Sequence, residues 1–229
     1  MSGAAGKAKL AFTPAPAGEN IVMLDFETTG LSPAMGERIT EVAALRIVDG
    51  RVTERFVSLV NCGVRIPSFI TQLTGISQAM VDGAPPVTRV LPQLLEFIGT
   101  SALAAHNASF DEKFLVAEAE RLSMAPAHAR LVCSLKLSRR VFPGLASYKL
   151  GQLSGQLGIR FRSAAHRAES DAEVAAEVLI HIERHLGRTY ALDAVDPALF
   201  AAVNKISAAK VPEFLRQYAA TNKMSSAGR

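Results

Sequence analysis

The stretch Ile21-Val22-Met23-Leu24-Asp25-Phe26-Glu27-Thr28-Thr29-Gly30 decides the reading of this chain. Ile21 to Phe26 is a short apolar run, the pattern of a strand buried on both faces, and it turns acidic where such a strand reaches the edge of its sheet. Side chains alternate along a strand, so Asp25 and Glu27 point to the same side and hold two like charges close together. Taken alone, a D-x-E pair is an ordinary solvated strand end. Here Thr28, Thr29 and Gly30 break the strand with small residues and free amides, which lets a phosphate-bearing chain approach the carboxylates.

Working outward, Arg38–Val48 and Arg51–Val60 are rich in Val, Ile and Thr and flank Asp49-Gly50, a dipeptide suited to a tight hairpin turn. Val87–Ile98 has helical spacing and Gly99 as a stop. Ser101–Ala105 reads as a second buried strand. Asn107–Leu122 reads as a helix capped by Asn107 or Ser109, with Ser109 and Glu112 matching a capping box. Ser134–Val141 and Lys149–Leu157 read as short helices on either side of Pro143-Gly144, and Ala168–Leu186 as a long helix. Asp196-Pro197 and Val211-Pro212 place proline in the first turn of two further short helices. A hairpin followed by alternating strands and helices implies an α/β fold around one mixed sheet. The expected organisation is a flexible tail over 1–20, a catalytic domain over 21–187, and a helical extension over 188–229 with a frayed end. On this reading, removal of 191–229 leaves activity on short oligonucleotides largely intact.

The composition fits one soluble domain: 229 residues, 49% hydrophobic and 20% charged. Cys62 and Cys133 lie far apart without CxxC spacing, which argues against a zinc site or a disulfide scaffold and fits a reducing compartment, the cytoplasm. No stretch approaches the roughly 20 apolar residues of a membrane span. The net charge of +4 is mild, yet from Arg121 to Ala168 the chain carries nine Lys or Arg and no Asp or Glu. Lys136, Arg139, Arg140, Lys149, Arg160 and Arg162 in that segment are candidates to hold a polynucleotide beside the acidic site.

Two more clusters accompany the first: His106, Asn107, Phe110 and Asp111 at the start of a helix, and His166, Arg167 and Asp171 at the start of another. Each alone reads as capping and helix-dipole compensation. Together, four carboxylates on separate elements with a nearby histidine are what two-metal hydrolysis of a phosphodiester requires. Hard divalent cations take oxygen ligands, and two ions stabilise the attacking and leaving oxygens. A neutral histidine accepts the water's proton near neutral pH.

In this order, Asp25-Phe26-Glu27-Thr28-Thr29-Gly30, His106-Asn107-Ala108-Ser109-Phe110-Asp111 and His166-Arg167-Ala168-Glu169-Ser170-Asp171 resemble the DEDD exonuclease superfamily, histidine subtype. The likeness is to DnaQ-like proteins such as the proofreading exonuclease of bacterial DNA polymerase III. It extends over Ile21–Leu186 and includes Leu73-Thr74-Gly75-Ile76 and Ser147-Tyr148-Lys149-Leu150. The resemblance implies a ribonuclease-H-like sheet of about five strands flanked by helices, with 3′ to 5′ hydrolysis to nucleoside monophosphates using two Mg²⁺ or Mn²⁺ ions. Carried over by position, Asp25, Glu27, Asp111 and Asp171 bind metal and His166 is the general base. Phe26, Thr28, Thr74, Asn107 and His166 meet the substrate, and His106 is structural. The expected substrate is the 3′ end of single-stranded DNA, with a polymerase or another replication or repair protein as partner. RNA ends are the alternative, since the chemistry needs no 2′-hydroxyl. A non-catalytic polymerase-docking module is the reading of a different class, and the intact five-residue set argues against it.

Overall fold

The computed structural model describes residues 20–160, 166–192 and 195–226. Five strands form one sheet in the order β3-β2-β1-β4-β5: β1 is Ile21–Thr28, β2 Ile39–Val48, β3 Arg51–Leu59, β4 Ala102–Ala105 and β5 Leu131–Cys133. β2 pairs antiparallel with both β1 and β3, while β4 runs parallel to β1 and β5 parallel to β4. Asp49 and Gly50 both have positive φ, 49° and 66°, as a tight hairpin turn between β2 and β3 demands.

β1 is buried on both faces, and its alternation sorts two cores. Ile21 and Met23 pack with Ala43, Leu45 and Ile47 of β2 beneath the long helix Ala168–Tyr190. Val22, Leu24 and Phe26 face the opposite way, onto the helices Val87–Ile98 and Ala108–Arg121. We number the helices α1 (Ser68–Thr74), α2 (Gln78–Asp82), α3 (Val87–Ile98), α4 (Ala108–Arg121), α5 (Ser134–Val141), α6 (Leu150–Gln156), α7 (Ala168–Tyr190), α8 (Pro197–Val203) and α9 (Val211–Ser226). Asp25 and Glu27 continue the series of Ile21 and Met23, so they emerge on the α7 side at the end of the strand where ligands collect in open α/β sheets.

The expected strands and main helices are present within a few residues of their bounds. Three features differ. α1 and α2 form a small satellite core of Cys62, Ile66, Ile70, Ile76 and Val81 beside the main sheet. β5 is only three residues long, too short to show a period. The third concerns the C-terminal segment: α7 continues past 187 to Tyr190, and α9 is a 16-residue helix rather than a short one. Leu199, Phe200, Val203, Val211 and Leu215 are buried in the same core as Met23 and Leu179. Asn204 also joins the sheet. Its Oδ1 accepts the Cys133 N–H at 2.7 Å and its Nδ2 donates to the Cys133 carbonyl at 3.2 Å, so a side chain closes the free edge of β5.

Candidate active site

One carboxylate oxygen from each of Asp25, Glu27 and Asp171 lies within 4.8 Å of the others. Two come from the end of β1 and one from the first turn of α7. Burial pushes the Asp25 carboxyl well above the usual carboxylate range, and the charges of Asp111, Asp171, Glu27 and Glu41 push it further. Glu27 is pushed up to about 8, chiefly by desolvation and then by Asp171 and Glu41, against the opposing pull of Arg167. Asp171 is raised by burial and held back by the His166 backbone amide and ring. Clustering and desolvation favour the protonated form of such carboxyl groups, and an all-oxygen donor set fits a hard divalent ion.

Asp111 reaches the cluster from the other face of the sheet. β1 pairs with β4 only over Ile21–Met23, and β4 ends at Ala105. Farther along β1, Asp111 Oδ1 accepts the Phe26 N–H at 3.2 Å, in the place a longer β4 would have taken. Burial raises Asp111 to about 8, with the Phe26 amide pulling the other way. The turn from β4 into α4 runs through Asn107 at φ 78°, a left-handed conformation asparagine tolerates, and its exposed side chain makes no capping bond. The cap expected of Asn107 is therefore positional only. His106 is structural in its contacts. A carbonyl only accepts, so Nε2 donates to Tyr148 O at 2.9 Å and Nδ1 takes the Ser134 hydroxyl at 3.0 Å. Burial holds this imidazole below its ordinary pKa.

His166 stands two residues before the start of α7, with φ 62° and an exposed side chain. Its backbone N–H donates to Asp171 Oδ2 at 3.2 Å. Next to it, Arg167 is forked onto Glu41 of β2, with Nε to Oε2 at 3.0 Å and Nη2 to Oε1 at 2.5 Å. Glu41 also accepts the Ala168 N–H at 2.9 Å and lies directly across the strand pair from Glu27. Sequence reading passed over Glu41, which sits inside a Val- and Ile-rich strand with no motif around it.

The expected nucleotide contacts divide. Asn107 and His166 are exposed, and His166 adjoins the cluster through its backbone bond to Asp171. The Phe26 side chain lies in the opposite core with Leu24 and Val42, because alternation turns it away from Asp25 and Glu27; its amide is what serves the site. The Thr28 hydroxyl donates to the Gly30 carbonyl at 2.5 Å. Thr74 is buried, donating to Ile70 O at 2.9 Å and accepting from Ile76 N at 3.1 Å. A Cβ at Gly30 would overlap the Glu37 carboxylate, the end of a flexible side chain that would have to move aside. The loop after it exposes Leu31 (77%) and Met35 (80%), apolar surface that sequence reading did not single out.

The basic segment is less uniform than its composition suggested. Arg121 pairs with buried Glu118, Arg140 binds the carbonyls of Ile206 and Lys136, and Arg167 is held by Glu41, so these three build the fold. Arg139 lies over the Tyr148 ring, 5.8 Å from its centroid, and Lys149 is exposed beside the loop that His106 anchors. Arg160 lines a cavity of about 280 Å³ between β3 and α7, with Arg51, Arg55, Arg184, Glu173 and Glu177. Arg162 lies outside the described residues.

The sequence profile of the RNase_T exonuclease family matches residues 22–179, a span that holds all four acidic positions and His166. The chain belongs to this exonuclease family. Over 171 residues the exonuclease is 36% identical to DNA polymerase III subunit epsilon of Aquifex aeolicus (strain VF5), covering 75% of this chain and 84% of that one. Over 164 residues it is 38% identical to the 3′-5′ exonuclease DinG of Bacillus subtilis (strain 168), covering 72% of this chain and 18% of DinG. Among solved structures, exonuclease X in complex with 5′ overhanging duplex DNA matches with a TM-score of 0.62 at 26% identity, covering 80% of this chain and 99% of that one. The exonuclease is thus DnaQ-like, of the 3′–5′ type, and its five-stranded mixed sheet is ribonuclease-H-like. No helix among its described residues is long and apolar enough to cross a membrane.

Proposed function

We propose that this exonuclease removes nucleotides one at a time from the 3′ end of single-stranded DNA and releases nucleoside 5′-monophosphates. The observation that carries the reading is the convergence of Asp25, Glu27 and Asp171, with Asp111 acting on Asp25 from the other face and His166 bonded to Asp171. Asp25, Glu27, Asp111 and Asp171 would hold two divalent cations, Mg²⁺ or Mn²⁺. When bound, these ions lower the pKa of the attacking water and offset charge on the scissile phosphate and the leaving oxygen.

The protein's own groups supply the rest. His166, exposed at the mouth of the site, takes the proton of the attacking water as the bond from phosphorus to the preceding nucleotide's 3′-oxygen breaks. Asn107 is free to meet the terminal nucleotide. Gly30 and the amides around Thr28 and Thr29 let the backbone come close, while Arg139, Lys149 and Arg160 supply positive charge along the incoming strand. The likeness to an epsilon subunit supports a DNA polymerase or another replication or repair protein as partner, and a cytoplasmic setting follows from that role.

The test is a gel ladder from 5′-labelled single-stranded DNA, duplex DNA and RNA, each with Mg²⁺, Mn²⁺ or chelator, comparing the wild type with Asp25→Ala and His166→Ala. Metal-dependent single-nucleotide ladders, fastest on single-stranded DNA and lost in both variants, are expected. Faster digestion of RNA would reassign the substrate. Digestion that survives chelation or both substitutions would overturn the mechanism.

A further inference from the structure

Glu41 is a fifth carboxylate beside an already acidic cluster, and it is 2% exposed. It is poorly placed to serve as a ligand because its two oxygens are engaged by three N–H donors: Arg167 Nε and Nη2, and the Ala168 amide. Nor is stability a sufficient reason for it. The Arg167 side chain is still 41% exposed, so the pair is half-buried; a pair that desolvates one charge is commonly no more stabilising than apolar residues of the same volume, and pairs retained in spite of this often fix a geometry. What this pair fixes is legible from its partners. Arg167 is the residue between His166 and the first residue of α7, and Ala168 is that first residue, itself wholly buried. His166 is held at φ 62°, a conformation that a non-glycine residue keeps only when its surroundings impose it. Its amide in turn bonds Asp171.

We propose that Glu41 and Arg167 are a positioning pair for His166, an inference that rests on the reading of His166 as the general base. β2 is a central strand with near-continuous burial, so Glu41 is a fixed point of the sheet. From it, the guanidinium fork and the Ala168 bond clamp the backbone on the C-terminal side of His166, and the Asp171 carboxylate restrains the His166 amide. The backbone that carries the imidazole is thereby fixed beside the carboxylate cluster. Arg167 also offsets the charge that Glu41 adds across the strand from Glu27, so the clamp leaves the net charge of the cluster unchanged.

Glu41→Gln keeps an acceptor for Ala168 but loses the charged fork, and Arg167→Lys keeps the charge but loses the fork. Each is expected to lower kcat on a 5′-labelled single-stranded oligonucleotide by roughly 10- to 100-fold, the scale of a misplaced catalytic group, with KM within about 2-fold. The two variants together should be no slower than the worse of them. The deciding measurement is coupling: Glu41→Gln added to His166→Ala should cost less than about 2-fold beyond His166→Ala alone. A further 10-fold loss in that double variant, or a change in KM with kcat untouched, would overturn the proposal. If Glu41→Gln fails to fold, as read by circular dichroism, Arg167→Lys on the His166→Ala background carries the same comparison. An active His166→Ala enzyme would instead refute the general-base reading and leave the clamp's geometry to be explained otherwise.

Discussion

The backbone N–H of Phe26 is bonded to the side chain of Asp111, 85 residues away in sequence, at 3.2 Å. Through this bond one carboxylate both completes the acidic cluster and finishes the hydrogen bonding of β1 beyond the end of β4. Asparagine retains the accepting oxygen without the charge. Asp111→Asn should therefore melt within a few degrees of the wild type, while kcat with Mg²⁺ falls by about 100-fold or more. A variant that unfolds, or one that keeps more than a tenth of the activity, would separate the two roles differently.

The raised carboxyl groups make metal-free stability depend on pH in a definite direction. Glu27 and Asp111 titrate near 8 in the folded protein but near 4.5 and 3.8 in an unfolded chain. Between those values the folded state holds protons that the unfolded state has released, so stability falls as pH rises and the loss is complete only above about 8. Cation binding requires those same protons to leave. In chelator, Tm should drop from pH 5.5 to 8.5, and the Tm increase on adding Mn²⁺ should be larger at 8.5 than at 5.5. Equal increments at both pH values would contradict the assignment.

Lys149 follows Tyr148, whose carbonyl is tied to His106 at the end of β4, so its position relative to Asn107 is set by the fold. If it contacts a backbone phosphate of the incoming strand, Lys149→Ala should raise KM for oligonucleotides several-fold and leave kcat alone. The slope of log affinity against log salt for single-stranded DNA should then fall in magnitude by about 0.7, the value of one phosphate contact. An unchanged slope would place Lys149 outside the strand's path.

Burial reverses the expectation for the C-terminal segment. Removing 191–229 takes away Leu199, Phe200, Val203, Val211 and Leu215 from the core beneath α7 and strips Cys133 of its Asn204 partner. The truncated chain should be insoluble or melt more than about 10 °C lower, the scale of losing several buried side chains. Asn204→Ala is the narrower probe. It should cost about 1–3 kcal/mol by denaturant titration, from two unsatisfied backbone groups, with kcat unchanged.

How much of this was legible in sequence depended on where the signal resides. Asp25 and Glu27 announce themselves because a strand's period of two and a sudden break in apolar character are both local. The hairpin at Asp49-Gly50 and helix α3 are local in the same sense. β5 was missed because three residues carry no period, and its edge is closed by a side chain from the C-terminal extension. Glu41 was missed because its meaning lies in Arg167, 126 residues later, and nothing about a glutamate within a strand signals an ion pair to a distant arginine. Arg140 and Arg121 were counted with the surface charge because sequence does not show that a guanidinium is already engaged by carbonyls or by a buried glutamate.

The order of synthesis gives the Asn204 contact one more consequence. All five positions proposed for catalysis have been translated by residue 171, yet the partner of Cys133 is not made until residue 204. A nascent chain thus holds a complete catalytic set while β5 still lacks its side-chain partner, the condition under which strand edges recruit other chains. The helices that follow α7 close that interval.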